Sequence, residues 1–271
     1  MFTSHRFGFI GCGNMGSALA TAAAKNISGA ELILSDHDAD KARALAEKLS
    51  ASCGSNEEVA QSSRYIFLGV KPQMMEQMLA SIAPVLQART DRFVLVTMAA
   101  GLSIARIREL AGGSYPTIRI MPNTPASIGA GMILYTADAT VTAEEKSDFT
   151  AYMSGAGILD ELPEHLIDAG SALSGCGPAF VDLFIEALSD GGVECGLPRD
   201  KALLYAAQTV LGSARLILES GEHPGVLKDR VCSPGGSTIV GVHALEDGAF
   251  RASAINAVRK AYDKTLDLGK K

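Results

Sequence analysis

No stretch of the 271-residue sequence stays uncharged and apolar for the roughly 20 residues that a membrane-spanning helix needs. The opening Met1-Phe2-Thr3-Ser4-His5-Arg6 also lacks the apolar region of a secretory leader. These two absences lead to the expectation of a cytoplasmic protein with no membrane partner. Cysteine pairs are missing as well. Cys12, Cys53, Cys176, Cys195 and Cys232 are scattered, with no C-x-x-C and no histidine at zinc-binding spacing. Reduced thiols packed as small side chains are expected, and no metal site. Nor is there an excess of basic residues. The 24 Lys and Arg against 30 Asp and Glu give a net charge of −6, and no local basic stripe offsets it, which argues against a nucleic-acid partner. Repeats and low-complexity tracts are absent, and no histidine, lysine or tyrosine stands in a recognisable acid–base motif. That last absence disfavours a dehydrogenase that must remove a proton from an alcohol and favours a reaction asking little acid–base work of the protein.

What is present is a chain long enough for two domains, with 47% hydrophobic and 20% charged residues. Short apolar runs at 7–10, 32–34, 65–70, 93–97 and 117–120 predict strands. Between them, 17–25, 40–49, 73–86 and 103–110 carry apolar residues at spacings of three and four, which predicts helices. Alternation of this kind builds a doubly wound, mostly parallel sheet of the Rossmann type, closed here by a further strand at 131–135 and helix at 142–153. Past Pro163 the strand signal stops, and 179–188, 199–219 and 249–268 read as helices. The expected fold class is therefore an α/β amino-terminal domain over residues 1–162 followed by an all-α domain over 163–271. The segment 180–188 is apolar on most of its circumference, which suits burial in its own bundle or against a second subunit; the scarcity of polar faces favours the subunit.

Gly11-Cys12-Gly13-Asn14-Met15-Gly16 follows the first strand and opens a helix, the context in which G-x-G-x-x-G binds a dinucleotide. The first glycine turns the chain, the second lets a pyrophosphate approach the backbone, and the third packs helix on strand, while the helix amino terminus offers N–H groups and a positive dipole end. Twenty residues on, Ser35-Asp36-His37-Asp38 ends the second strand. An acid there accepts from ribose hydroxyls, so Asp36 leans towards NADH, although Asp36, Asp38 or Asp40 could each serve as a helix cap, and Lys41 or His37 could meet a phosphate. Val70-Lys71-Pro72 and Ala99-Ala100-Gly101 lie at other strand ends on the ligand edge, and the stiff Met121-Pro122-Asn123-Thr124-Pro125 follows the strand at 117–120. In the helical half, Lys228-Asp229-Arg230-Val231-Cys232-Ser233-Pro234-Gly235-Gly236-Ser237-Thr238 reads as a loop that opens a helix. Its consecutive N–H groups and hydroxyls suit a small carboxylate better than a phosphate, since no basic cluster surrounds it.

Together these blocks, with Gly175-Cys176-Gly177-Pro178-Ala179 and Gly221-Glu222-His223-Pro224, resemble pyrroline-5-carboxylate reductase in order and over nearly the whole chain. The Ser-Pro-Gly-Gly-x-Thr block is the most specific; Cys176 and Phe180 stand where the family commonly has serine and tyrosine. The resemblance implies reduction of L-1-pyrroline-5-carboxylate to L-proline, the last step of proline biosynthesis, with NADPH or NADH. It further implies a homodimer through the helical domain, often assembled into a larger ring of dimers. By the same resemblance Thr238 stands beside the ring nitrogen as the catalytic group, and Ser233, Gly235, Gly236, Ser237 and the Thr238 N–H hold the carboxylate. Gly11 to Gly16, Ser35, Asp36, Asn56, Val70, Lys71, Pro72, Ala99, Ala100, Gly101, Pro122 and Asn123 bind the dinucleotide. Two other readings stay open. A β-hydroxyacid dehydrogenase shares the domain plan but needs a lysine, with an asparagine nearby, on a helix of the second domain, and the helix after Gly177-Pro178 has neither. A cofactor-sensing module without catalysis would leave the carboxylate cradle without a purpose.

Overall fold

The computed structural model describes residues 4–268. Its first part alternates strands and helices: β1 (His5–Ile10), α1 (Asn14–Ala23), β2 (Leu32–Ser35), α2 (Ala39–Leu49), β3 (Ser52–Cys53), α3 (Asn56–Ser62), β4 (Ser63–Leu68), α4 (Pro72–Ala88), β5 (Val94–Thr97), α5 (Ile104–Ala111), β6 (Thr117–Met121), β7 (Gly131–Ala137), α6 (Ala143–Met153) and β8 (Gly157–Glu161). The strands form one sheet in the order β3-β2-β1-β4-β5-β6-β7-β8. Every pairing is parallel except that of β6 with β7. The predicted doubly wound α/β domain is the one observed.

The central strands are apolar on both faces because both faces are covered. Phe7, Phe9, Tyr65 and Phe67 point into one core with Leu19 of α1 and Phe149 of α6. Ile10, Ile66 and Leu68 point into the other with Met75, Leu79 and Ile82 of α4 and Ile107 of α5. The rings of Phe9 and Phe67 stack with centroids 4.3 Å apart. Local signals set the helix ends. Ser55 and Glu58 form a capping box at α3, Thr142 and Glu145 another at α6, and α5 stops at Gly112 in the left-handed region.

Among these elements β3, α3 and β8 went unpredicted, as did α7 (Glu164–Gly170) and α10 (Pro224–Val231) further on. β3 has two exposed residues and β8 is a half-exposed edge, so neither makes an apolar run. The capping box of α3 was a legible sign, but seven residues are too few for a periodic pattern.

Next come α7 (Glu164–Gly170), a π turn (Ser171–Gly175), α8 (Gly177–Glu194), α9 (Arg199–Ser220), α10 (Pro224–Val231), α11 (Ser237–Asp247) and α12 (Phe250–Leu268). Lys228 to Val231 are therefore helical, and the loop before α11 begins only at Cys232. Residues 4–176 with 261–268 form one compact unit and 177–260 a second. In the second unit, Ser189, Ala202 and Ala206 are the buried side chains among the described residues, whereas Leu183, Leu211, Leu218 and Val240 are each at least 60% exposed. A lone chain seldom leaves so much apolar surface to water. The helical stretch Glu164–Glu194 also contains an 18-residue window with a mean hydropathy of 1.3, which by length and composition alone could cross a bilayer. It is not an uncharged run, since Asp182 and Glu186 lie within the stretch.

Candidate functional site

The registers align Ser35, Ile10, Leu68, Thr97 and Arg119 in one row across β2, β1, β4, β5 and β6. The segments that leave these strands therefore emerge side by side along the carboxyl edge. Chain order reverses between β1 and β4, the place where such sheets bind ligands. There the backbones nearly touch. Gly69 N–H donates to the Ile10 carbonyl at 2.7 Å, and a Cβ on Gly11 would come within 2.7 Å of the Gly69 carbonyl. Gly11 itself has φ +103°, where only glycine is unstrained. Gly69 belongs to this turn and was not predicted; the sign was a glycine at the end of an apolar strand.

A Cβ on Gly16 would sit 2.0 Å from the Gly11 carbonyl, so α1 packs on the turn only with glycine there. Over Gly13, by contrast, a Cβ would meet nothing within 4 Å, and α1 has no side-chain cap. Its first N–H groups, at Asn14, Met15 and Gly16, have no intrahelical partners. Open space above a glycine, fronted by an uncapped helix end, fits the pyrophosphate of a dinucleotide. Ser17 Oγ donates to the Cys12 carbonyl at 2.7 Å and holds the turn from behind.

The Cys12 thiol is buried and donates to the Ser35 carbonyl at 3.4 Å. Burial, with the Asp36 carboxylate nearby, pushes its pKa up to about 12. Ser35 Oγ donates to Asn56 Oδ1 at 2.8 Å, so Asn56 meets the site through a buried serine. Asp36 accepts from Cys12 N–H at 2.5 Å and from Asp38 N–H at 2.9 Å. Asp38 caps α2, accepting from Asp40 N–H and Lys41 N–H.

Further along the edge, Val70 is half-buried, while Lys71 and Pro72 are exposed at the start of α4. Ala99 is buried, Ala100 packs beside Met121, Leu134 and Ile167, and Gly101 turns the chain at φ +76°. Pro122 is half-buried. Asn123 is buried and its amide is already engaged: Oδ1 accepts from Met132 N–H at 2.9 Å, and Nδ2 donates to the Ser174 carbonyl in the π turn at 3.0 Å. Arg119, buried on β6, pairs with Asp168 of α7 at 2.5 Å. These two residues tie α7 and the π turn to the end of β6.

In the second unit, Gly236 N–H closes a turn on the Ser233 carbonyl at 3.0 Å, and Gly235 takes φ +69°. Gly236 precedes α11, which has no side-chain cap. A Cβ at Gly236 would lie 2.5 Å from Ser233 Oγ, so glycine lets that hydroxyl stand against the helix end. Ser233, Ser237 and Thr238 are exposed. Uncapped N–H groups with a hydroxyl beside them can donate to a small anion. Among the described residues, no His, Cys, Asp and Glu cluster could hold a metal.

Known proteins resemble the chain in both parts. Residues 6–101 match the family model described as NADP oxidoreductase coenzyme F420-dependent, and residues 164–268 match pyrroline-5-carboxylate reductase dimerisation. A curated pyrroline-5-carboxylate reductase from Synechocystis is 46% identical over 80% of this chain and 79% of its own length. That of Escherichia coli is 40% identical over 98% of each chain. The crystal structure of the Plasmodium falciparum pyrroline carboxylate reductase with NADP bound superposes with a TM-score of 0.87 at 33% identity, covering 99% of this chain and 100% of the other. Relatives of this identity, matched end to end, place the chain in the pyrroline-5-carboxylate reductase family.

Proposed function

We propose that the chain reduces the C=N bond of L-1-pyrroline-5-carboxylate to give L-proline, the closing step of proline biosynthesis, with NADPH or NADH as the reductant. The observation that carries this reading is end-to-end identity of about 40% to proteins named for that activity, joined to a carboxylate cradle in the second unit. When bound, the dinucleotide supplies the hydride, and the chain's own residues bind and orient. Gly11 to Gly16 take the pyrophosphate. Ser35, Asp36 and Asn56 serve the adenosine ribose, and Val70, Lys71, Pro72, Ala99, Ala100 and Gly101 line the dinucleotide along the sheet edge. Pro122 and Asn123 lie on the nicotinamide side. Since the Asn123 amide is engaged within the protein, its contribution there is through its backbone and the shape it holds.

Ser233, Gly235, Gly236, Ser237 and the Thr238 N–H hold the substrate carboxylate, and the Thr238 hydroxyl stands beside the ring nitrogen to orient it or relay its proton. A cyclic imine protonated at nitrogen is already an electrophile, so positioning supplies much of the rate. This agrees with a sequence in which no histidine, lysine or tyrosine stands in a recognisable acid–base motif. Residues 1–162 act as the dinucleotide domain, and 163–271 as the substrate and dimerisation domain. Pairs built through the latter give a homodimer and, by further association, a ring of dimers working in the cytoplasm. Following dinucleotide oxidation by absorbance tests the reading. Imine-dependent oxidation that yields proline is expected; turnover of a 3-hydroxy acid with none of the imine would overturn it.

A further inference from the structure

We infer that Asp36 makes this chain select the dinucleotide that lacks a 2′-phosphate, NADH over NADPH; the inference rests on the dinucleotide reading above. β2 ends at Ser35, in register with Ile10, so Asp36 is the first residue past the strand and stands beside the glycine turn. The three acids that follow β2 have separate duties. Asp38 caps α2. Asp40 pairs with Arg43 at 2.7 Å on the exposed face of α2. Asp36 turns back, taking Cys12 N–H at 2.5 Å on one oxygen and Asp38 N–H at 2.9 Å on the other.

Each carboxylate oxygen keeps a lone pair beyond those bonds, enough to accept from ribose hydroxyls. A phosphate in the same place offers acceptors and about −1.5 to −2 charges instead, with nothing for Asp36 to accept. The segment from Asp36 to Arg43 holds three acids, Asp36, Asp38 and Asp40, against Lys41 and Arg43, and Arg43 already faces Asp40. Because the two backbone bonds fix the carboxylate, it cannot swing aside without releasing the Cys12 N–H of the turn.

The test is an equilibrium titration of NADH and NADPH followed by dihydronicotinamide fluorescence. For the unaltered protein, Kd for NADPH is expected at least about tenfold above that for NADH, a modest outcome for like charges at contact distance. Asp36→Asn keeps an acceptor for Cys12 N–H and removes the charge, and should bring the two Kd values within about threefold. Equal or tighter NADPH binding by the unaltered protein overturns the inference while leaving the reductase reading intact. An unchanged ratio in Asp36→Asn removes Asp36 as the selector. Failure of both dinucleotides to bind overturns the reductase reading and this inference together. The unaltered protein's ratio decides even if the variant folds poorly.

Discussion

Cys12 and Thr238 show how differently two small side chains serve a site. The Cys12 thiol is buried, donates to a backbone carbonyl and has its pKa pushed up to about 12 by burial and then by Asp36. It therefore stays protonated near neutrality, and the thiolate is the reactive form. Iodoacetamide at pH 8, followed by peptide mass spectrometry, should label the exposed Cys53 well before Cys12; Cys12 labelling at the rate of Cys53 would show that the turn opens readily. Thr238 is exposed at the second position of α11, where its hydroxyl is free to meet a ligand. Thr238→Ala should lower kcat about ten- to a hundredfold, on the scale of one positioned hydrogen-bonding group, with Thr238→Ser restoring most of it. Unchanged kinetics would take Thr238 out of the reaction. Both residues were legible in the sequence as motif members, but their surroundings were not. Asn123 was read as a ligand contact, and its amide proves to clamp β7 and the π turn, because both of its partners are backbone groups remote in sequence.

Among the elements, α6 shows a charged group stabilising the fold away from the site. Glu145 is buried at the third position of its helix. Burial alone would raise its pKa, but hydrogen bonds from Arg92 and Thr142 N–H, with the charges of Arg92 and Arg64, outweigh burial and hold it below the ordinary carboxylate value. A lowered folded-state pKa means that the contribution is present above the unfolded carboxylate's pKa and fades as pH falls through the folded one. Urea unfolding against pH should therefore show the acid-side loss reduced in Glu145→Gln. At neutral pH, Glu145→Ala should cost about 1–3 kcal/mol, since two arginines and an N–H lose their acceptor. An acid limb identical in Glu145→Gln and the unaltered protein would assign that limb to other carboxylates. The Thr-x-x-Glu pattern of this capping box, like the Ser-x-x-Glu of α3, is a local sign in the sequence, yet the arginines that complete the cluster come from β4 and from the stretch before β5. The elements that could be read were those with an apolar face; β3 and β8 at the sheet edges have almost none.

On the scale of the whole molecule, the second unit poses a packing problem that a single chain does not solve. A side chain at a solvated helix surface tolerates substitution within about 0.5 kcal/mol, whereas a charge forced into a covered apolar face costs several times more. Leu183 on α8 is 67% exposed and Leu211 on α9 is 60% exposed in the isolated chain. If these faces are solvated, Leu183→Arg and Leu211→Arg should be nearly neutral. If a second copy covers them, as the match of residues 164–268 to a dimerisation model supports, each should shift sedimentation towards a smaller species and lower the melting temperature. The melting temperature of the unaltered protein should then also rise with protein concentration, because association stabilises only the folded form. The apolar stretch Glu164–Glu194 is open to the same comparison, since it overlaps that face. A partner helix and a lipid bilayer satisfy its hydropathy equally, but only the partner makes stability depend on concentration in detergent-free buffer. A melting temperature independent of concentration, with both arginine variants behaving like the unaltered protein, would mean that the apolar face of α8 and α9 is not an interface between copies of this chain.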